Sequence, residues 1–246
     1  MAKRLRIFAG PNGSGKSTFI KYFPSAPNLK LGVYVNADDI EQEFKEKGIV
    51  DLSVFKCDFT TLQIREYFKS SSFSPAKLGL SDIWRHFSVN NNQLSIDSEL
   101  TVNSYIAADL AEFIRQNLVR AGLSFSFETV MSDFKKIEFL RFAKSQDYKI
   151  YLYYFSTEDP SININRVAFR VAQSGHPVNS GIIESRYYRS LENLKDAVLI
   201  SDRAYIFDNS GSASVLISEI EEGRKVHVID QDQVPNWFIE YLVDKR

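Results

Sequence analysis

The stretch IFAGPNGSGKSTFI, residues 7–20, constrains the fold of this chain more than any other. It matches the phosphate-binding pattern G-x-x-x-x-G-K-[ST] without a gap, at Gly10, Gly15, Lys16 and Ser17. Glycines let the backbone wrap a phosphate, so that N–H groups and a helix N-terminus point at the anion. The stretch predicts a buried strand, a phosphate-binding loop and a helix.

The loop also predicts cofactors. Lys16 is expected to reach the β- and γ-phosphates of a nucleotide, and the Ser17 hydroxyl to ligate magnesium. The expected cofactors are therefore ATP and Mg²⁺. The remaining nucleotide contacts are expected from the loop and the first helical turn, at Gly10, Asn12, Gly13, Ser14, Gly15 and Thr18.

The composition excludes several classes of partner. The chain has 246 residues and a formal net charge of -1, so no overall field attracts nucleic acid or an anionic membrane. No apolar run approaches the roughly 20 residues of a membrane span, and the first apolar run is too short for a signal peptide. Cys57 is the single cysteine, which fits a reducing compartment. We expect a cytoplasmic protein with no membrane or nucleic-acid partner.

Short apolar runs alternate with helical patterns along the chain. Strands are predicted at residues 5–10, 33–36, 123–129, 149–157, 203–210 and 225–230, and helices at 105–121, from Pro160, and at 180–197. This alternation predicts an α/β fold, a P-loop NTPase three-layer sandwich with a mostly parallel sheet.

Residues 49–104 interrupt the alternation. They are polar and serine-rich, and they include WRHFSVNNNQLSID, which is typical of a β-hairpin turning at residues 90–92. We predict a single domain over residues 1–246 with an insertion at about 49–104. The insertion is expected to be partly helical, with the hairpin near 84–97.

The two commonest hydrolytic classes lack their required parts. A transporter-type ATPase needs an LSGGQ-like signature and an apolar strand ending in Asp-Glu, but Asn209 follows the strand that ends at Asp208. A GTPase switch needs an NKxD-like motif that reads the base, and the chain has none. Both of these hydrolytic interpretations are therefore disfavoured, and the rest of the sequence has to indicate where the phosphate goes.

Polar residues follow the predicted strands at the edge where ligands bind in a parallel sheet. The second strand runs into NADD, with Asp38 and Asp39, and the third ends in FET, with Glu128 and Thr129. Aspartates after a strand are also typical of a turn and a helix cap, and a Glu-Thr pair could cap a helix as well. Both interpretations stay open at this point.

An arginine-rich segment follows the fourth strand. Arg166 and Arg170 are four residues apart and share one helix face, while Arg186 and Arg189 share another. His176 lies between the two predicted helices. A single arginine on a helix is usually solvated, and a histidine beside a proline is usually an ordinary loop residue.

The combined pattern is that of a small-molecule kinase. A carboxylate opposite a phosphate-binding loop takes a proton from an acceptor hydroxyl or orients that hydroxyl in line. Arginines neutralise charge on the transferred phosphoryl group, and a closing lid keeps water from hydrolysing ATP. The competing hypothesis is an NTPase without a small-molecule acceptor that acts through a protein partner.

Several stretches closely resemble zeta-toxin-like P-loop proteins, and more narrowly the subgroup known as predicted ABC-type ATPases. They are AGPNGSGKST, NADDI, SYIAADLAEFIR, SFSFETVMS, YLYYFSTEDPSININRVAFRV and RYYRSLENL. The resemblance covers about three quarters of the chain. It implies an adenylate-kinase-like architecture with an arginine-bearing lid, and phosphorylation of UDP-N-acetylglucosamine by a toxin that an antitoxin restrains.

The resemblance also implies roles for individual residues. The catalytic residues would be Lys16, Asp38, Arg170 and Arg186, with Asp39 in place of Asp38 if the register shifts. Substrate binding would fall to Asp39, Glu128, Thr129, Arg166, His176 and Arg189. The chain departs from the subgroup at residues 174–179, where SGHPVN replaces GGHxVP.

Overall fold

The computed structural model describes residues 2–22, 31–172 and 179–244. Its strands are β1 Arg4–Ala9, β2 Val33–Val35, β3 Ile49–Asp51, β4 Phe87–Asn90, β5 Gln93–Ile96, β6 Phe125–Thr129, β7 Lys149–Ser156, β8 Arg203–Asp208, β9 Val215–Glu221 and β10 Lys225–Val228. Its α-helices are α1 Lys16–Tyr22, α2 Ala37–Lys47, α3 Thr61–Ser70, α4 Phe73–Leu78, α5 Ser104–Arg120, α6 Lys135–Ser145, α7 Pro160–Ala172, α8 Ser180–Glu192, α9 Leu194–Ile200 and α10 Asn236–Phe238. Short 3-10 helices lie at Leu52–Phe55, Ile83–His86 and Gln231–Gln233, and α10 continues into a π-helical turn at Ile239–Val243.

Seven of the described strands form one sheet in the order β10-β9-β8-β7-β1-β6-β2. β7 pairs in parallel with β1 and with β8, while β9 and β10 run antiparallel to their neighbours. The predicted α/β fold with a mostly parallel sheet is therefore confirmed. None of the described helices has the length and apolar character needed to cross a membrane.

Aromatic packing places the phosphate-binding loop against this sheet. Phe8 of β1 stacks on Tyr153 of β7 at 5.0 Å between ring centroids. On α1, Phe19 contacts Phe155 at 4.8 Å and Phe207 at 5.1 Å. Each buried aromatic ring contributes a few kcal/mol of hydrophobic stabilisation. The strand before the loop and the helix after it are thus held by the same aromatic layer.

The chain divides into two compact units. The larger comprises Met1–Leu31 and Ser126–Arg246, and the smaller comprises Gly32–Phe125. The smaller unit contains the segment predicted as an insertion, but it begins before residue 49 and ends after residue 104. The single-domain organisation stays a prediction.

The hairpin predicted near residues 84–97 is present in the smaller unit. β4 and β5 pair antiparallel, and β3 pairs with β5 on its other side. Asn91 and Asn92 form the turn, with φ values of 50° and 58°. Asparagine tolerates this left-handed conformation better than most residues, so the turn explains the asparagine run.

Two predicted features differ from the structure. The helix predicted at residues 180–197 is interrupted at Asn193, whose side-chain amide donates to Met131 O at 2.9 Å. Strand β9, which lies between β8 and β10, is absent from the predicted elements. Its pairing with β8 shifts register between Ile206 and Phe207, which disturbs the alternation of buried and exposed residues that marks a strand.

Candidate active site at the phosphate-binding loop

The loop between β1 and α1 has the conformation that its glycines predict. Gly10 has φ +139°, and a Cβ atom there would lie 1.9 Å from Phe155 O. Gly15 has φ +91°, and a Cβ there would lie 1.9 Å from Asn209 Nδ2. Residues with side chains avoid this backbone region, so both positions require glycine for conformation and for space.

Lys16 is buried and folds back over the loop. Its Nζ donates to Gly10 O and to Pro11 O, each at 2.8 Å, and lies 4.0 Å from Glu128 Oε1. These carbonyls hold the ammonium group beside the loop. Lys16 therefore holds its positive charge at the loop for which the motif predicts phosphate binding.

Ser17 and Glu128 meet at the start of α1. Ser17 Oγ donates to Glu128 Oε1 at 2.9 Å and is 3.1 Å from Oε2. Glu128 comes from β6, which lies next to β1 in the sheet. A hydroxyl and a carboxylate are the hard oxygen ligands that Mg²⁺ prefers. The arrangement brings together a residue predicted for metal binding and one predicted for substrate binding.

Two asparagines that sequence reasoning missed also contact the loop. Asn163 of α7 is fully buried, and its Nδ2 donates to Asn12 O at 2.6 Å. Asn209, directly after β8, donates from Nδ2 to Ser14 O at 2.7 Å. The position of Asn209 at a strand end is a signal that could have identified it. Asn163 lies within the arginine-rich segment and carries no comparable signal.

The loop also contains two buried polar side-chain atoms that could accept a hydrogen bond from a ligand or donate one to it. Ser14 Oγ and Asn12 Oδ1 are buried and have no hydrogen-bond partner within the described part of the chain. A buried polar atom without a partner costs about 1–3 kcal/mol, so a polar ligand at the loop would remove a penalty.

The side chains of Thr129 and Arg166 make hydrogen bonds to backbone groups. The Thr129 hydroxyl accepts from Met131 N–H at 3.0 Å and so stabilises the turn after β6. Arg166 donates to the carbonyls of Asn209 and Gly211 at 2.7 and 2.9 Å.

The remaining predicted residues of this segment lie on α7 and α8. Arg170 is exposed in the last turn of α7, Arg186 is half-buried on α8, and Arg189 is exposed with its Nε donating to Ser185 O at 3.3 Å. His176 lies outside the described residues. The catalytic and substrate-binding roles of Arg170, Arg186, Arg189 and His176 therefore stay predictions.

Asp38 and Asp39 belong to the smaller unit, where they form the first turn of α2. Asn36 caps this helix, because its side-chain oxygen accepts from Asp38 N–H at 3.0 Å. Both aspartates are exposed, and carboxylates in a first helical turn interact favourably with the helix dipole. The cap of this helix is therefore Asn36 and neither aspartate, and the catalytic role of Asp38 stays a prediction.

Several solved structures are similar to this chain, including the following two. One, from the PezAT chromosomal toxin-antitoxin system of Streptococcus pneumoniae, has a TM-score of 0.51 and 12% sequence identity, covering 100% of this chain and 80% of that chain. The other, a crystal structure of AvrRxo1-ORF1:AvrRxo1-ORF2 with sulphate ions, has a TM-score of 0.51 and 14% identity, covering 94% of this chain and 62% of that chain.

No protein-family model matches the chain, and no curated protein matches it. At 12% and 14% identity, the structural similarities concern the fold alone. They agree with the resemblance to zeta-toxin-like P-loop proteins at that level. The chain thus shares its fold with structures from a toxin-antitoxin system and from the AvrRxo1-ORF1:AvrRxo1-ORF2 complex.

Proposed function

We propose that this protein is an ATP- and Mg²⁺-dependent kinase of small molecules. The observation that carries the proposal is the loop itself, in which a buried Lys16 and the Ser17–Glu128 pair stand together at the ends of β1 and β6. Loops of this kind bind nucleotide phosphates through backbone N–H groups and a lysine.

The residues present fit the phosphates of ATP. Gly10 and Gly15 place no side chain over the loop backbone. The buried Ser14 Oγ has no hydrogen-bond partner among the described residues. Lys16 would exchange its bonds to Gly10 O and Pro11 O for bonds to phosphate oxygens. Because an ammonium group binds a phosphate more strongly than it binds neutral carbonyls, this exchange is favourable.

The residues present also fit Mg²⁺. Ser17 would supply its hydroxyl oxygen, and Glu128 would take the place of the carboxylate that P-loop proteins use beside it. Bound Mg²⁺ would neutralise charge developing on the phosphates. This role for Glu128 competes with the substrate-binding role that the family resemblance implies.

In this proposal, the other predicted residues act in the phosphoryl-transfer step. Asp38 accepts the proton of an acceptor hydroxyl or orients it toward the phosphoryl group, with Asp39 as the alternative. Arg170 and Arg186 neutralise the transferred group. The acceptor proposed from the resemblance is a nucleotide sugar such as UDP-N-acetylglucosamine, bound with help from Thr129, Arg189 and His176.

Incubation with ATP, MgCl₂ and a panel of nucleotide sugars, followed by phosphorus NMR, tests this proposal. We expect a new phosphate-ester signal on one acceptor, absent with Lys16→Ala. Free phosphate alone across the panel would contradict the kinase. Turnover that needs no acceptor and survives Asp38→Asn but not Lys16→Ala would support the alternative, an ATPase that acts through a protein partner.

We propose further that an antitoxin restrains this kinase. The similarity to a structure from the PezAT toxin-antitoxin system supports this part of the proposal. Cells that produce the free protein should stop growing, whereas cells producing Lys16→Ala should grow normally. Normal growth with active, soluble wild-type protein would overturn the antitoxin proposal and leave the kinase activity to be judged separately.

A further inference from the structure

The side chain of Asn209 is inserted against the phosphate-binding loop. Its Nδ2 donates to Ser14 O at 2.7 Å. The same nitrogen lies 1.9 Å from the position that a Cβ atom of Gly15 would occupy, so the missing side chain of Gly15 makes room for the amide. The loop glycine is therefore matched to a residue at the end of β8, which β7 separates from β1 in the sheet.

Asn209 is itself held in place from two sides. Its backbone N–H donates to Ser156 O at 2.8 Å, at the end of β7. Arg166 of α7 donates from Nη1 to Asn209 O at 2.7 Å and from Nη2 to Gly211 O at 2.9 Å. A planar guanidinium suits this geometry because its two nitrogens reach two carbonyls at once.

We infer that Asn209 is a positioning residue that orients the Ser14–Gly15 peptide for phosphate binding, and that Arg166 holds Asn209 in place. The peptide unit is planar and trans, so fixing the Ser14 carbonyl oxygen on one side directs the Gly15 N–H to the opposite side. Backbone N–H groups are the phosphate ligands of such loops. This inference rests on the proposed nucleotide binding.

The inference also separates Arg166 from the other arginines of its segment. Two of its N–H groups are directed to backbone carbonyls of the loop after β8. Arg166 therefore acts through Asn209, whereas Arg170 and Arg186 are proposed to contact the phosphoryl group. Loss of Arg166 should weaken nucleotide binding, whether or not an acceptor is present.

Calorimetric titration with ADP tests the inference on the full chain. Asn209→Leu keeps the side-chain volume without the donor, and we expect about tenfold weaker binding, equivalent to about 1.4 kcal/mol. Asn209→Asp replaces the donor by a carboxylate beside a carbonyl oxygen and should bind at least as weakly. The matched control is Asn165→Leu, an exposed asparagine of α7, which should bind like the wild type.

The Arg166 variants extend the same titration. Arg166→Lys can reach one carbonyl and should retain part of the affinity that Arg166→Ala loses. Unchanged ADP affinity in Asn209→Leu, with wild-type protein that binds ADP, would overturn the inference alone. Wild-type protein that does not bind ADP would overturn the proposed function and the inference with it.

Selective isotope labelling gives a readout that lost stability would not mimic. With ¹³C-carbonyl serine and ¹⁵N-glycine, only Ser–Gly peptides give a signal, and they are 14–15, 174–175, 180–181 and 210–211. In nucleotide-free protein, Asn209→Leu should shift the 14–15 signal and leave 180–181 in place. Arg166→Lys should shift 210–211 as well. A 14–15 signal unmoved in Asn209→Leu would contradict the inference.

Discussion

Two carboxylates in the two units show how differently the same chemical group is used. Asp109 of α5 is buried, and its Oδ2 accepts from Ser71 Oγ at 2.8 Å, from Ser74 N–H at 2.9 Å and from Ser74 Oγ at 2.5 Å. These donors hold the start of α4. Burial, the strongest cause, and the charge of Asp109 raise the pKa of the neighbouring Tyr67 phenol.

Glu128 in the larger unit contacts a different kind of partner. Its carboxylate accepts from the hydroxyl of Ser17, an exposed residue at the start of α1. A structural carboxylate has its charge offset by donors that the fold supplies, whereas one beside an exposed hydroxyl can exchange that partner for a ligand. We expect loss of Asp109 to affect stability and loss of Glu128 to affect metal-dependent activity.

The largest effect is expected from Lys16→Ala. Removing the charge that binds the phosphates should lower phosphoryl transfer by about 1,000-fold, in the range found for loss of one group that stabilises a transition-state charge. Turnover and the melting temperature are measured together. The control is Lys21→Ala, an exposed residue at the other end of α1, and equal loss in both variants would contradict the assignment.

Asp109→Ala should be the most destabilising of these substitutions. It removes a buried charge and leaves the donors of Ser71 and Ser74 without an acceptor, at a cost of about 3 kcal/mol in the free energy of unfolding. Urea denaturation measures it. Asp82→Ala, with only a 3.6 Å ion pair to Arg85, should change stability by less than about 0.5 kcal/mol.

Asp38→Asn should lower phosphoryl transfer by at least about 100-fold, as expected for loss of a general base. The cap on α2 depends on the backbone N–H of residue 38, so the helix should remain intact and ADP should bind as in the wild type. Asp39→Asn is the paired variant. A larger loss in Asp39→Asn would assign the proton-accepting role to Asp39.

Glu128→Gln should raise the Mg²⁺ concentration needed for half-maximal turnover about tenfold, because an amide is a weaker ligand than a carboxylate. Stability should change little. The matched control is Glu138→Gln, an exposed residue of α6. An unchanged Mg²⁺ requirement together with a raised KM for the acceptor would favour the substrate-binding role.

The smallest effect concerns Asp202, a structural carboxylate of the larger unit that precedes β8. Burial raises the pKa of Asp202. Hydrogen bonds from Lys144 Nζ, Ile150 N–H and Lys149 Nζ outweigh the effect of burial, so the pKa lies below its usual value. Such a group stabilises the folded state above its unfolded pKa and loses that contribution as the pH falls through the lowered folded pKa.

Asp202→Asn should therefore be less stable than the wild type at pH 7 by under about 1 kcal/mol, since solvent screens the exposed lysines. The difference should shrink as the pH falls below about 4, the usual pKa of an unfolded aspartate, and through the lower pKa of Asp202 in the folded state. Chemical denaturation across this pH range measures it. A difference that stays constant down to pH 2 would show that the charge of Asp202 does not stabilise the fold.

The amino-acid sequence by itself determined the phosphate-binding loop and the strands around it. Strand, glycines, lysine and helix follow one another within residues 4–22, so local conformation and apolar pattern suffice to predict them. The hairpin at Asn91 and Asn92 was predictable for the same reason. Strand β9 was not, because its register shift depends on how it pairs with β8.

Only the tertiary structure decided which side chains meet at that loop. Ser17 and Glu128 are 111 residues apart, Asn12 and Asn163 are 151 apart, and Ser14 and Asn209 are 195 apart. Helix periodicity placed Arg166 on a face but could not show that this face meets backbone carbonyls. Contacts between distant segments depend on strand order and on the packing of helices against the sheet, and neither is encoded in any short stretch of residues.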